Sequence, residues 1–252
     1  MAGSFENIDI VKADGIVTLR IHHRGGAAKW ALWGGLHKEL GVAFADIAAD
    51  ADARALIITG TDDVFCAEFD MDCALPPMGG ASWDVIFREG RALLNNLLSI
   101  EIPVIAAVNG PAFIHAEIAL LADVVLAADT AVFADKPHAL AGVVPGDGVH
   151  SIWPMLLGPN RGRYFLMTGQ QIGAAEALSL GLVGEVLAPA ALMPRARDLA
   201  ATIAARPAVA NRYTRILLTR DLRARLAREL DQGLAMEGLA ILAGLQASAA
   251  PM

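Results

Sequence analysis

Several things are scarce in this chain of 252 residues, and each scarcity excludes something. Charge is low: 19% of residues are Asp, Glu, Lys or Arg, and 27 acids against 20 bases give a net charge of −7. With a pI near 5.3, no basic surface is left to follow a phosphate backbone, so no nucleic acid partner is expected. Cysteine is confined to Cys66 and Cys73. Two thiols make neither a disulfide framework nor a zinc signature. Met1 is followed by Ala, Gly and Ser rather than a charged-then-apolar leader, so a reducing cytoplasmic location is expected.

Uninterrupted apolar runs are missing too, although the mean hydropathy is +0.47. The best stretch, Ile102 to Ala122, is broken by Pro103, Asn109, Gly110, Pro111, His115 and Glu117. It falls short of the roughly 20 apolar residues a span requires, and no membrane partner is expected. The chain has no P-loop, no G-x-G-x-x-G opening a helix after a strand, no H-E-x-x-H and no G-x-S-x-G. Nucleotide, zincin and serine-elbow chemistry therefore lack support, and neither a cofactor nor a metal is expected.

What is present is 55% hydrophobic residues, enough for a large core and too many for a disordered chain. Ile8 to Val11 and Ile16 to Ile21 flank Asp14-Gly15, which reads as a hairpin. Leu36, Leu40, Phe44 and Ile47 share a helical face, as do Trp83, Ile86, Phe87, Leu93, Leu94 and Leu97. Between and after them come short apolar runs, Ala55 to Gly60, Val104 to Val108 and Val124 to Ala128. Strands alternating with helices point to an α/β class. Beyond Gly148 the pattern is almost wholly helical, apart from a short strand at Val183 to Leu187. A boundary near Pro189 divides an α/β core, 1–189, from a helical region, 190–252.

The polar residues that stand out in this apolar chain are histidines. His115 follows the run Val104 to Val108 and opens a short helix, whose unpaired N–H groups suit an oxyanion; a capping loop histidine is the plainer reading. His138 and Asp147 flank an apolar span whose Pro145-Gly146 turn can fold the carboxylate back onto the ring. Such a carboxylate orients an imidazole and stabilises its charged form, leaving the second nitrogen to deprotonate water. A solvated turn aspartate beside an unrelated histidine is the alternative. His37 starts the first helix. Glu237 interrupts an apolar stretch of the last one, where a pocket or interface would raise its pKa. Trp30 and Trp33 are candidates for an apolar pocket wall or for plain core packing.

Four strings then form a pattern: Phe65-Cys66-Ala67-Glu68-Phe69-Asp70, Ile102 to Ala112, Gly142 to Gly148, and Thr168-Gly169 with Ala174 to Val183. Together they resemble the crotonase (enoyl-CoA hydratase/isomerase) superfamily over nearly the whole chain. The resemblance implies a crotonase-type spiral of ββα units with a helical C-terminal trimerisation region, giving a homotrimer or a dimer of trimers. It also implies an oxyanion hole from backbone N–H groups around Glu68 and Phe69 and around Ile114 and His115.

Departures from the superfamily pattern narrow the expectation. Phe113-Ile114-His115-Ala116 replaces the usual glycine triplet, one residue shorter, while Glu117 is kept. His138 stands where a second catalytic glutamate is usual, and Asp147 replaces a small residue. The set His37, His115, His138, Asp147 and Glu237 resembles the carbon–carbon bond hydrolases of the superfamily, the β-diketone hydrolases. That resemblance implies retro-Claisen cleavage of a cyclic, non-enolisable 1,3-diketone to a keto acid. His138 held by Asp147 would be the base, His115 an oxyanion donor, and Trp33 part of the pocket. Hydration or isomerisation of a thioester through Glu117 is the second reading, and a non-catalytic assembly or binding protein the third.

Overall fold

The computed structural model describes residues 5–249. Its centre is a six-stranded sheet in the order β1-β2-β4-β6-β7-β10. β1 (Ile8–Ala13) and β2 (Ile16–Ile21) form the antiparallel hairpin that Asp14 and Gly15, both at positive φ, allow. β4 (Ala55–Thr59), β6 (Val104–Val108), β7 (Val124–Ala128) and β10 (Glu185–Leu187) continue it in parallel. A parallel strand buried on both faces reads as an unbroken apolar run, which is how β4, β6 and β7 look in the sequence.

Each central strand opens one turn of a spiral. β2 leads to β3 (Lys29–Trp30) and α1 (Gly35–Ala49), and β4 leads to β5 (Glu68–Phe69) and α2 (Gly80–Ser99). β6 leads to the 110–114 segment and α3 (Glu117–Leu120), and β7 to β8 (Val132–Phe133) and α4 (Lys136–Ala141). The second members of these turns stack edge to edge as a separate layer. β3 pairs with β5, Cys66 bridges Ala112, and Ala112 bridges Phe133. The stacking requires glycine at Gly110, where a Cβ would sit 1.6 Å from the Asp63 carbonyl oxygen. The ββα spiral expected from the resemblance is the fold observed.

The two faces of the sheet alternate with period two. Leu56, Ile58, Val104, Ala106 and Val108 face the main core with α1 and α2. Ala55, Ile57, Ile105, Ala107, Leu126 and Ala128 face α8 (Pro189–Ala204), through Leu192, Ala196 and Ala200. Position 189 is therefore where the element type changes, while the helix that starts there shares the core of the sheet. Between them run α5 (Val149–Leu157), α6 (Pro159–Thr168), β9 (Ile172–Gly173) and α7 (Ala174–Ser179), with α9 (Ala208–Leu218) and α10 (Arg220–Ala249) closing the chain. Among the described residues no helix is long and apolar enough to cross a membrane.

Candidate active site

The stacked second layer delivers side chains to one place. Trp30 ends β3, His115 follows the 110–114 segment, and Asp135 and His138 follow β8. α4 begins with Pro137 within its first turn, a position proline favours, so the chain turns from β8 into a helix that points His138 inward. His138 Nδ1 lies 2.7 Å from Asp135 Oδ1, both groups being buried. Its Nε2 faces two further carboxylates, Asp147 Oδ2 at 3.7 Å and Glu237 Oε1 at 3.6 Å. Asp147 is shared: the same oxygen lies 3.5 Å from His115 Nδ1, which is also 2.6 Å from Glu117 Oε1.

The turn and α10 meet through backbone. A Cβ at Gly146 would lie 2.1 Å from the Gly233 carbonyl oxygen, and one at Gly233 would lie 2.2 Å from that of Gly146. Only glycine pairs permit this approach. Asp147 follows Gly146, and Glu237 is one helical turn beyond Gly233, so the contact sets the two carboxylates on the same imidazole. The Trp83 indole N–H donates to the Leu234 carbonyl at 3.1 Å and ties α2 to the same stretch of α10.

Burial opposes charge on every one of these groups, and their neighbours decide the outcome. For His138 the carboxylates of Asp147, Asp135 and Glu237 overcome burial and hold the pKa up at about 11. For His115, Glu117 and Asp147 do the same and hold it at about 9. Burial would raise Asp147, but the two histidines keep it below the ordinary carboxylate value. Burial wins at Glu237, pushed up to about 7 against the pull of His138, and raises Glu117 as well. His37 goes the other way: burial lowers it despite Glu89 Oε2 at 3.3 Å from its Nδ1.

Two expectations are corrected by this geometry. The carboxylate that orients His138 through Nδ1 is Asp135, an i−3 neighbour; Asp147 sits on the opposite nitrogen and bridges two rings. The Ile114 N–H is not available to an oxyanion, because it donates to the Cys66 carbonyl at 3.1 Å. His115, held at φ 52 in the left-handed region, donates its backbone N–H to no group among the described residues. Glu68 and Phe69 lie on β5 with exposed side chains, Glu68 paired with Lys29 at 3.3 Å, so only their backbone is suited to the oxyanion role. Trp33 lies in the connection from β3 to α1, where its carbonyl accepts from Cys73 Sγ at 3.4 Å. The indole that meets the histidines is Trp30.

Asp135 and Glu89 were missing from the residues expected at the site. Asp135 had a signal, its i, i+3 spacing to His138. Glu89 had none, being 52 positions from His37.

The donor atoms of His115, Glu117 and Asp147, and those of His138, Asp147 and Glu237, each lie within 4.8 Å of one another. A divalent ion could span either set by distance alone. A metal needs the imidazole deprotonated, and carboxylates that hold both rings charged work against it.

A buried histidine–carboxylate cluster on a ββα spiral defines an enzyme of the crotonase type. The enoyl-CoA hydratase/isomerase family profile matches residues 12–240, and the chain belongs to that family. It is similar over 94% of its length, and of the other chain's, to the structure of a β-diketone hydrolase from the cyanobacterium Anabaena sp. PCC 7120, with 42% identity and a TM-score of 0.90. An enoyl-CoA hydratase/isomerase from Mycobacterium paratuberculosis is 27% identical, with a TM-score of 0.85 and 93% of each chain covered. Among curated proteins, carnitinyl-CoA dehydratase of Escherichia coli K12 is 40% identical over 165 residues. That match spans 64% of this chain and 62% of the dehydratase.

Proposed function

We propose that this enzyme is a carbon–carbon bond hydrolase that opens cyclic, non-enolisable 1,3-diketones to keto acids by retro-Claisen cleavage. One observation carries the reading: His138 Nε2 lies between the carboxylates of Asp147 and Glu237 in a buried cluster. Glu117, the glutamate a thioester hydratase would need, is bonded to His115 instead. The Anabaena β-diketone hydrolase supports it, having been captured with (S)-3-oxocyclohexyl acetic acid, a keto acid. Ring opening of a bridged diketone yields a product of that class.

At rest the proton is on His138, so the neutral ring that can act as base must be generated in the site. An apolar diketone filling the pocket excludes water, which favours neutral pairs over ion pairs. His138 then passes its Nε2 proton to Glu237. The neutral imidazole takes a proton from water as the oxygen adds to one ketone carbon. The tetrahedral oxyanion collapses, the bond to the central carbon breaks, and that carbon leaves as the enolate of the second ketone. Glu237 returns its proton to the enolate carbon. The cycle ends with charged His138 and ionised Glu237, as it began.

His115, charged and backed by Glu117, donates to the oxygen on which charge develops, a contribution typically worth about 10²–10³ in rate. Asp135 keeps the His138 ring in place. His37 and the backbone around Glu68 and Phe69 line the same site. The exposed stripe of Val209, Tyr213 and Leu217 on α9 supports self-association, as a homotrimer or a pair of trimers.

The test is ring opening of a bridged bicyclic 1,3-diketone followed by gas chromatography, for wild type, His138→Asn and Glu237→Gln. Keto acid formation by wild type is expected to fall at least a hundredfold in both variants. Folded wild-type protein that opens no ring size, yet hydrates crotonyl thioester or dehydrates carnitinyl thioester through Glu117, would sink the proposal.

A further inference from the structure

Each histidine of the site has a carboxylate at Nδ1: Asp135 for His138, Glu117 for His115, and Glu89 of α2 for His37. The reaction above uses the first two and gives Glu89 no task. Glu89 is nevertheless committed to this ring. The arginines beside it bond elsewhere, Arg88 to Asp84 at 3.0 Å and Arg91 to Asp231 at 3.5 Å. Among the described residues its one polar partner is His37, and its side chain is only 18% exposed. Water or a neighbouring arginine would serve a helix-surface carboxylate at less cost than this inward position.

His37 differs from the other two rings in charge. It is buried at the start of α1, and burial, helped by the charge of His115, outweighs Glu89 and leaves it neutral at pH 7. Asp147, the other charged group that the ring feels, is too weak to reverse this. A neutral imidazole has one N–H. A carboxylate can only accept, so the hydrogen belongs on Nδ1, and Nε2 is left as a bare lone pair. Glycine makes room for that atom on α2, since a Cβ at Gly90 would lie 3.3 Å from Nε2. No described residue donates to it. The His37 ring lies 6.5 Å from that of His115, between centroids. At rest the charged rings of His115 and His138 can only donate, so the site holds a single imidazole nitrogen that accepts.

We propose that Glu89 is a positioning residue of this site: it fixes the proton of His37 on Nδ1, so that Nε2 accepts the second O–H of the attacking water and aims the oxygen lone pair at the ketone carbon. The proposal rests on the hydrolysis proposed above, in which His138 takes the first proton of that water. Water held through one proton can still rotate about it. Two fixed acceptors leave one orientation, and such alignment contributes to rate rather than to substrate affinity.

Two measurements separate this proposal from the assignment of the reaction. Imidazole nitrogen NMR of histidine-labelled protein at pH 7 distinguishes the charged ring from each neutral tautomer, and His37→Asn assigns the signal. Wild-type His37 is expected to be neutral with its proton on Nδ1. Glu89→Gln is expected to lose that fixed state, because an amide can also donate to Nδ1. A charged His37, a proton on Nε2 in wild type, or a tautomer unchanged in Glu89→Gln overturns the proposal whatever the enzyme hydrolyses.

The second measurement is ring opening by variants shown to be folded by thermal unfolding. Glu89→Gln is expected to lose about tenfold in kcat, with KM within about threefold of wild type. Added to His37→Asn, it is expected to change kcat by less than about twofold, since it acts through that ring. A folded Glu89→Gln with kcat within about twofold of wild type, or losses that multiply in the double variant, also overturns the proposal. If wild type opens no diketone, the assignment of the reaction falls while the tautomer still decides the pairing of Glu89 with His37, so the two readings fail separately.

Discussion

Two buried clusters in this chain are held by opposite means. Against α8, the sheet presents Ala55, Ile57, Ile105, Ala107, Leu126 and Ala128, every one an apolar side chain that gains simply by leaving water. At the site, Glu117, Asp135, Asp147 and Glu237 surround His115 and His138, and each of these groups would be costly to bury alone. The first cluster is a sum of independent parts. The second is stable only as a set, because removing one charge strands another. A mutation in the sheet should therefore cost stability and spare chemistry, and one in the site should cost both.

The largest expected effect tests the set. Asp147→Asn leaves two charged imidazoles without their shared carboxylate, and ring opening should fall at least about 10³-fold. Steady-state kinetics on folded variant checks it; a loss under tenfold would show that the cluster does not act as a unit. Ile57→Ala sharpens the other side. Ile57 is fully buried against α8, so denaturant unfolding should show a loss of about 2–5 kcal/mol. Its kcat per folded molecule should not change, and a parallel drop in kcat would blur the contrast.

The smallest effect expected is on stability against pH. His115 and His138 have folded pKa values raised from 6.5 to about 9 and about 11. Their contribution is complete below about 6.5 and disappears as the pH climbs through those values. Glu237, raised from 4.5 to about 7, acts in the same direction over a lower range. Asp147, held below its usual 3.8, withdraws its share only in stronger acid. Thermal unfolding should thus show Tm falling by on the order of 5 °C from pH 7 to pH 10. His138→Asn should flatten that slope, and an unchanged slope in the variant would remove His138 as its source.

The same contrast explains what the sequence made legible. β6 and β7 were readable to the residue, and α1 and α2 to within two, because burial on one face or two stamps a period on the chain. β3, β5, β8 and β9 are two residues each and too short to carry any period, yet three of them build the layer that gathers the site. His138 and Asp147 could be paired from a turn. The bridge from Asp147 to His115 and the contact of Glu89 with His37 come from stacking of the spiral, which no local pattern records, whereas Glu117 is bonded to His115 only two residues away. Naming Asp147 as the orienting carboxylate followed from the turn; the nearer Asp135, three residues before the ring, took that place instead.

The Gly146–Gly233 contact has a consequence in time. Chains are made from the amino end at roughly 5–20 residues per second, so some seconds pass between the synthesis of Asp147 and that of Glu237. Throughout that interval His115, His138 and Asp147 already exist, but the helix that delivers the remaining carboxylate has yet to emerge. The reactive arrangement is thus the last part of the molecule to come into being, and a polypeptide halted before α10 carries most of the machinery without being able to use it.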